Sequence, residues 1–438
     1  MKSSSIIRFT YPIITENILA IFVGLAAALL IGKVSSSALA ATGISNTAIA
    51  FITSTFAMLT SGSSVLTARA IGADDSHDAS TIIEQSIFLT VVSSLLVTII
   101  FTLGAPSFIR FLMPSAEKAL FDETVCFFRI LVLSFPLLMV YSVLANIMRA
   151  AGNSVIPMIT AVATNVIQLL SAYLLIVVYP MGLLGAGISY IIGRSFGMLI
   201  ILAAVLRSHT HYHVNIRNIF KPDRTLFARV FRLGFPTTIE QLLVQGGYLV
   251  ANAMAVGLGT RLATVYQVSN TIYTFFSLPQ GICSVVSMIT VGQMIGAREF
   301  QKTKTAIRNI WCIGLAASVV ICLPLSLIGK SITSFYTSNA SVAAESAMLL
   351  WALFLLCVPA LSINVIDPAL RSGGDTKFVL FTSIIGVWFI RIPLTYLFCY
   401  YLNLGVLGIF GANIISLFIR AAMGMTRYIK GKWLHAQI

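Results

Sequence analysis

The sequence predicts an all-α membrane protein of twelve transmembrane helices in two six-helix lobes related by a pseudo-twofold axis. Three observations predict it. The 438 residues are 58% hydrophobic and only 10% charged, with a mean hydropathy of +0.95, whereas soluble domains carry about 25% charged residues. The charged residues gather between long apolar runs, the pattern of spanning helices joined by loops. The third observation is a repeat: shifting residues 8–73 by 224 positions onto 232–297 places Arg8 on Arg232, Pro12 on Pro236, Glu16 on Glu240 and Ile71-Gly72-Ala73 on Ile295-Gly296-Ala297. Fourteen of the sixty-six positions are identical without a gap, which reads as an internal duplication.

A helix needs about 20 residues to cross roughly 30 Å of hydrocarbon. Runs of that length fall near 12–32, 44–68, 85–107, 124–147, 156–179, 183–206, 237–259, 265–291, 309–329, 343–366, 378–400 and 405–426. An even number of spans puts both termini on one side, and Lys and Arg choose which. The N-terminus and the even-numbered connections carry Lys2, Arg8, Arg69, Arg149, Arg207, Arg217, Lys221, Arg224, Arg229, Arg232, Arg298, Lys302, Lys304, Arg308, Arg371 and Lys377. The C-terminus adds Arg420, Arg427, Lys430 and Lys432, making twenty, against five (Lys33, Arg110, Lys118, Arg261, Lys330) on the odd connections. By the positive-inside rule both termini are cytoplasmic, in a cell inner membrane. The net charge of +14 is therefore a topology signal, and no basic domain for nucleic acid is present.

Residues 1–206 form an N-lobe with helices 1–6, 207–232 a cytoplasmic linker and 233–438 a C-lobe with helices 7–12. The linker holds His209, His211 and His213; a solvated connection is the plainer reading than a metal or pH-sensing site. With six spans per lobe, the two repeats enter the membrane in the same orientation. The six cysteines lie in or beside apolar runs without metal-ligand spacing and read as small buried apolar residues. The N-terminus lacks a small-residue cleavage site, so the first run is a retained span rather than a signal peptide.

Two more pairs extend the repeat. Residues 146–154 (NIMRAAGNS) and 368–376 (PALRSGGDT) each end a lobe's fourth helix: Arg149 and Arg371 sit in a last turn, Gly152 and Gly374 terminate the helix, and Asp375 is placed to cap the next. Gly182-Leu-Leu-Gly185 and Gly405-Val-Leu-Gly408 each open a sixth helix.

These residues resemble the multidrug and toxic compound extrusion (MATE) family over nearly the whole chain. The motifs are Pro12 with Glu16-Asn17, Pro236 with Glu240-Gln241, residues 68–73 (ARAIGA) with 291–297 (VGQMIGA), the LR-type elements at Arg149 and Arg371, and Trp388 with Arg391-Ile-Pro393. The resemblance implies a V-shaped secondary antiporter with a central cavity, exporting amphipathic, mostly cationic drugs or toxic compounds in exchange for H⁺ or Na⁺ by alternating access. No cofactor beyond that ion is implied, and the expected surroundings are membrane lipids around a monomer. The chain departs from the pattern at one place. Prokaryotic members often carry an aspartate five residues before a glycine in the first helix; here the glycine is Gly32 and the position is Ala27, which puts an N-lobe coupling site in doubt.

A transporter needs groups that gain and lose a proton or hold a cation in a low-dielectric cavity, and an ionisable residue inside a span is a candidate by default. Glu16 and Glu240 lie one turn past a proline. Desolvation would make either a proton carrier, while the plain reading is a helix-start acid or one paired with a nearby Arg. Asp367, four residues before Arg371, reads first as an i,i+4 ion pair. Arg391 and Arg194 are deeper cations, which snorkelling would also explain. Asn165, Gln168, Gln245, Asn252, Tyr266, Gln267, Asn270, Tyr273 and Asn364 either bond a neighbouring helix or line a wet cavity. Phe275, Phe276 and Met288 offer an aromatic surface for lipophilic cations or plain packing, and Gly246-Gly247 and Pro279 with Gly281 are candidate bends. The site is expected around Glu240, Asn252, Gln267 and Asn270. A lipid-linked oligosaccharide flippase and a non-transporting membrane scaffold or sensor stay open as alternatives. An enzyme is disfavoured because no hydrolase, Walker or paired-carboxylate motif occurs, and no metal set stands out.

Overall fold

A computed structural model describes residues 3–32, 34–113, 117–207, 212–337, 339–431 and 433. Lys2, Lys33, His209, His211 and Lys432, as well as the side chain of Arg8, lie outside the described residues. The chain divides into two compact units that meet in sequence between Gly234 and Phe235.

The N-terminal unit, Ile7–Gly234, contains α1 (Ser3–Gly32) from Ile7 onward, α2 (Ser36–Thr55), α3 (Ala57–Gly72), α4 (Ser76–Leu103), α5 (Ala105–Leu112), α6 (Lys118–Leu133), α7 (Phe135–Ala150), α8 (Val155–Val178), α9 (Gly182–Arg207) and the single turn α10 (Ile216–Ile219). Helix α11 (Arg224–Gly257) starts here and continues into the C-terminal unit. There it is followed by α12 (Thr260–Gly296), α13 (Phe300–Leu327), α14 (Gly329–Tyr336), α15 (Ala340–Ser372), α16 (Thr376–Tyr401) and α17 (Gly405–Lys430).

Among the described residues nine helices are long and apolar enough to cross a bilayer, and the bent pairs α2 with α3 and α6 with α7 bring the number to eleven. The twelfth expected span is α11, 34 residues and so about 50 Å at 1.5 Å per residue. It is less apolar than the other spans because Glu240, Gln241, Gln245 and Asn252 interrupt it.

The two bends of 45° have local causes. At the first, Ser54 and Thr55 donate their hydroxyls to Phe51 O and Ile52 O, turning these carbonyls away from the helix ladder. At the second, Ser134 Oγ donates to Leu131 O and Pro136 opens α7. The corresponding helices of the other unit, α12 and α15, run unbroken despite Pro279 and Pro359. Gly246 and Gly247, candidate bends on sequence, sit in continuous helix and serve packing: a Cβ on Gly247 would meet Val387 Cγ1 at 2.2 Å.

The expected linker lies within the N-terminal unit, and its described residues from Tyr212 on are anchored rather than solvated. Tyr212 is buried, and the buried Glu84 of α4 accepts the Asn215 amide at 2.7 Å. Gln85 donates to Asn218 O and Lys221 O and accepts from Asp223 N, while the His213 amide reaches Ser80 Oγ at 2.9 Å. Asp223 then caps α11 through Thr225, whose hydroxyl and amide hold its carboxyl below the usual carboxylate range.

The core of the N-terminal unit is built on Phe127, Phe128 and Leu131 of α6 with Ile82 and Ile83 of α4. That of the C-terminal unit joins α12, α15 and α17 through Ile272, Phe276, Leu350, Leu353 and Ile409. Phe276 is therefore core. Four cysteines are buried as expected, but Cys126 and Cys312 lie on exposed helix faces, where a small thiol substitutes for an aliphatic group.

Candidate functional site

Each unit places one glutamate one turn past a proline and pairs it with an arginine from its fourth spanning helix. Glu16 of α1 accepts twice from Arg149 Nη2, at 2.7 and 2.6 Å. Glu240 of α11 accepts from Arg371 Nη2 at 2.6 Å. The glutamates are 224 positions apart and the arginines 222, so the two duplicated motifs are the two halves of one duplicated ion pair.

The C-terminal unit adds a second pair. The expected bond between Asp367 and Arg371 is absent: Arg371 turns to Glu240, and Asp367 Oδ2 accepts from Arg420 Nη2 at 3.2 Å. An i,i+4 pair on one helix contributes only about 0.2–0.5 kcal/mol, whereas Glu240, 4% exposed, would otherwise be a buried unpaired charge. Asp375 likewise caps nothing with its side chain and bonds Arg427 at 2.6 Å. The Ser383 hydroxyl joins the pairs, donating to Glu240 Oε1 at 2.9 Å and accepting from Arg420 at 2.7 Å. Arg420 Nη2 is also 3.7 Å from Glu240 Oε1. Two carboxylates and two guanidinium groups sum to zero charge, and the Nε atoms of Arg371 and Arg420 find no acceptor among the described residues.

Arg420, counted above with the C-terminal topology charges, is inside α17 and buried. Its aliphatic stem lies against Gly386, where a Cβ would come within 2.4 Å of Arg420 Cγ and Cδ. At the matching places of the N-terminal unit, shifted by 222 and 223, stand Ala145 for Asp367 and Gly197 for Arg420. A Cβ on Gly197 would meet Thr164 Oγ1 at 2.2 Å, so no cation fits there. Among the described residues the N-terminal unit thus holds one part-buried ion pair of this kind and the C-terminal unit two buried ones. Ala27 is buried and apolar, in keeping with the smaller N-terminal site.

The four-charge cluster faces a cavity of about 250 Å³ walled also by Tyr248, Tyr273 and Asn364. A second, water-sized cavity of about 10 Å³ lies between Tyr266, Asn270, Tyr273, Arg391 and Asn413. Arg391 ends a π-helical stretch of α16, Ile385–Arg391, and its guanidinium covers the Tyr248 ring at 4.5 Å. Such wide turns are frequent at functional sites. Tyr248 and Tyr273 line both cavities.

Of the residues singled out on sequence, Glu240, Asp367, Tyr273 and Asn364 meet at the larger cavity, and Asn270, Tyr266 and Arg391 at the smaller. Asn252 and Gln267, expected at the centre, are exposed and line neither. Glu16, Asn165 and Gln168 belong to the N-terminal unit; Asn165 and Gln168 are half-buried. Arg194 donates to Ser134 Oγ at 2.6 Å over the Tyr190 ring, a packing role. Arg420, Ser383, Tyr248 and Asn413 were not foreseen. Arg420 alone left a signal, a cation six residues inside the last apolar run.

A sequence profile of the MatE family matches residues 12–174 and again residues 236–397. The chain belongs to the MatE family. The two matches begin at Pro12 and Pro236, 224 positions apart, as the repeat requires. Among curated relatives of this MatE chain, the uncharacterized transporter YisQ of Bacillus subtilis is 24% identical, over 99% of this chain and 95% of its own length. The probable multidrug resistance protein NorM of Thermotoga maritima is 22% identical over 98% and 92%. A solved structure described as the outward-facing conformation of a multidrug resistance MATE family transporter of the MOP superfamily superposes with a TM-score of 0.92 at 19% identity, covering 99% of this chain and 97% of that one. A MOP superfamily transporter from Pyrococcus furiosus, described by the reverse polarity of its binding pocket, gives 0.91 at 20% identity with the same coverage. The fold is that of twelve-helix, two-lobed MATE transporters, and the chain is a multi-pass membrane transporter.

Proposed function

We propose that this transporter exports amphipathic organic cations from the cytoplasm in exchange for protons, by alternating access, as a monomer in the cytoplasmic membrane with both termini inside. The observation that carries this reading is the buried cluster of Glu240, Asp367, Arg371 and Arg420 on the wall of a cavity in one unit. Its charge is balanced as it stands. Protonating either carboxylate leaves a guanidinium uncompensated in low dielectric, which repels a cation from the cavity. Losing that proton restores the balance and removes the repulsion. Proton and organic cation thereby exclude each other, which is what exchange requires. Tyr248 and Tyr273 supply aromatic faces to an amphipathic cation. A sodium ion would have to displace a guanidinium to reach either carboxylate, so protons are favoured over Na⁺. The names of the NorM relatives, multidrug resistance proteins, support drugs as substrates.

The test is efflux of a cationic dye from proteoliposomes holding the full chain. An imposed pH gradient should drive it and a Na⁺ gradient alone should not. Glu240→Gln should bind dye but no longer transport it. Efflux driven by Na⁺ alone would overturn the choice of ion, and efflux indifferent to both gradients would overturn coupling altogether.

A further inference from the structure

The duplication sets α13 against α4 with an unchanged shift of 224 at both ends, Ser76 to Phe300 and Leu103 to Leu327. On α4 the cytoplasmic first turns are covered: Ser80 and Glu84 hold the amides of His213 and Asn215, and Phe227 stacks on Phe88 at 6.1 Å. The matching residues of α13 are Lys304 for Ser80 and Arg308 for Glu84. Where the first repeat has a hydroxyl and a carboxylate receiving backbone amides, the second has two cations that cannot accept a hydrogen bond.

Around these cations α13, α15 and α17 enclose a crevice of about 360 Å³. Lys304 and Arg308 stand one turn apart on one face, both exposed, and among the described residues neither has an acidic partner. The rest of the wall is Ile307, Trp311, Val365, Ile366, Met425 and Tyr428. At 1.5 Å per residue Lys304 and Arg308 lie about 6 and 12 Å into α13. The headgroup zone is roughly 5–7 Å deep on each side of the hydrocarbon. Lys304 falls within that zone and Arg308 one turn deeper, and both share the crevice with the apolar surface of Ile307, Trp311, Val365 and Ile366.

We propose that this crevice is a binding site for an anionic phospholipid of the cytoplasmic leaflet, with the phosphate between Lys304 and Arg308 and an acyl chain along Ile307, Trp311 and Met425. The lipid occupies in the second repeat the place that the connecting segment covers in the first. The site does not depend on the exported substrate and rests only on the proposed membrane orientation.

Native mass spectrometry of the detergent-solubilised full chain tests it, using phosphatidylglycerol and phosphatidylcholine with identical acyl chains. Wild type should retain phosphatidylglycerol at least fivefold over phosphatidylcholine. The double substitution Lys304→Gln, Arg308→Gln, at two exposed positions, should abolish that preference while leaving phosphatidylcholine retention unchanged. Lys330→Gln, an exposed cation on α14, should leave the preference intact. Equal retention of the two lipids by wild type, a preference surviving the double substitution, or an equal loss with Lys330→Gln would each overturn the site.

Discussion

Removing Asp367 alone leaves Arg420 buried, with the already paired Glu240 3.7 Å away as its remaining carboxylate. Breaking one partner of a buried pair costs about 3–5 kcal/mol, whereas replacing both by apolar groups is near neutral. Asp367→Ala should therefore lower the thermal midpoint of the detergent-solubilised protein sharply, and adding Arg420→Met should recover most of the loss. A double variant no more stable than the single one would show that the pair does not carry this burden. The same residues mark how far sequence reaches at this scale. Glu240 and Arg371 were legible because each stands in a motif written twice, yet nothing in either motif names the other as partner. The alternative for Arg371 was Asp367 on its own helix, and only the bond that brings Glu240 of α11 to Arg371 of α15 decides between them. Arg420 has no counterpart in the first repeat, so the duplication that revealed the rest concealed it.

Helix ends repeat more faithfully than side chains. Asp74 and Arg298 both adopt φ of 58°, Gly152 and Gly374 φ of 86° and 89°, and Gly182 and Gly405 φ of 59° and 55°. Glycine was legible at two of these three pairs because a left-handed residue excludes most others. At Asp74 and Arg298 no such mark exists, and a left-handed non-glycine residue costs roughly 1–2 kcal/mol. Arg298→Gly should raise the midpoint by the equivalent of about 1 kcal/mol after the loss of unfolded-state entropy, and Asp74→Gly by less, since Asp tolerates this conformation. A destabilised Arg298→Gly would mean its side chain makes a contact worth more than the strain. The bends at Phe56 and Ser134 were not legible, because hydroxyls that bend one helix are accommodated without a break in others. The connection after α9 is held chiefly by the three hydrogen bonds of Gln85. Gln85→Leu should free it, raising the rate of trypsin cleavage at Arg217 or Lys221 by about tenfold or more for 1–3 kcal/mol of lost bonding. Unchanged cleavage would place the anchor in Glu84 and Tyr212 instead.

Across the molecule the fold was readable because a bilayer imposes run length and charge placement on every helix, and a copied half shows its own boundaries. The site was less readable because the copies have diverged in chemistry while keeping their backbone. Among the described residues the first unit keeps one part-buried ion pair of this kind, with Ala145 and Gly197 where the second has Asp367 and Arg420. No second carboxylate and no hydroxyl among the described residues hydrogen-bonds to that pair, whereas Ser383 bridges the charges of the other unit. The plainest task of the first unit's pair is to tie α1 to α7. If coupling resides in the four-charge cluster, the two equivalent glutamates should differ in what their loss does. Glu240→Gln should reduce proton-driven dye efflux at least tenfold, equivalent to about 1.4 kcal/mol or more on the transport barrier. Glu16→Gln should leave most of the efflux and instead lower the thermal midpoint, since Arg149 then loses its charged partner. Both variants are isosteric, so the comparison isolates charge from shape. Equal loss of efflux from the two would mean that the cycle uses both carboxylates despite their unequal surroundings, and the assignment of coupling to the second unit would have to be abandoned.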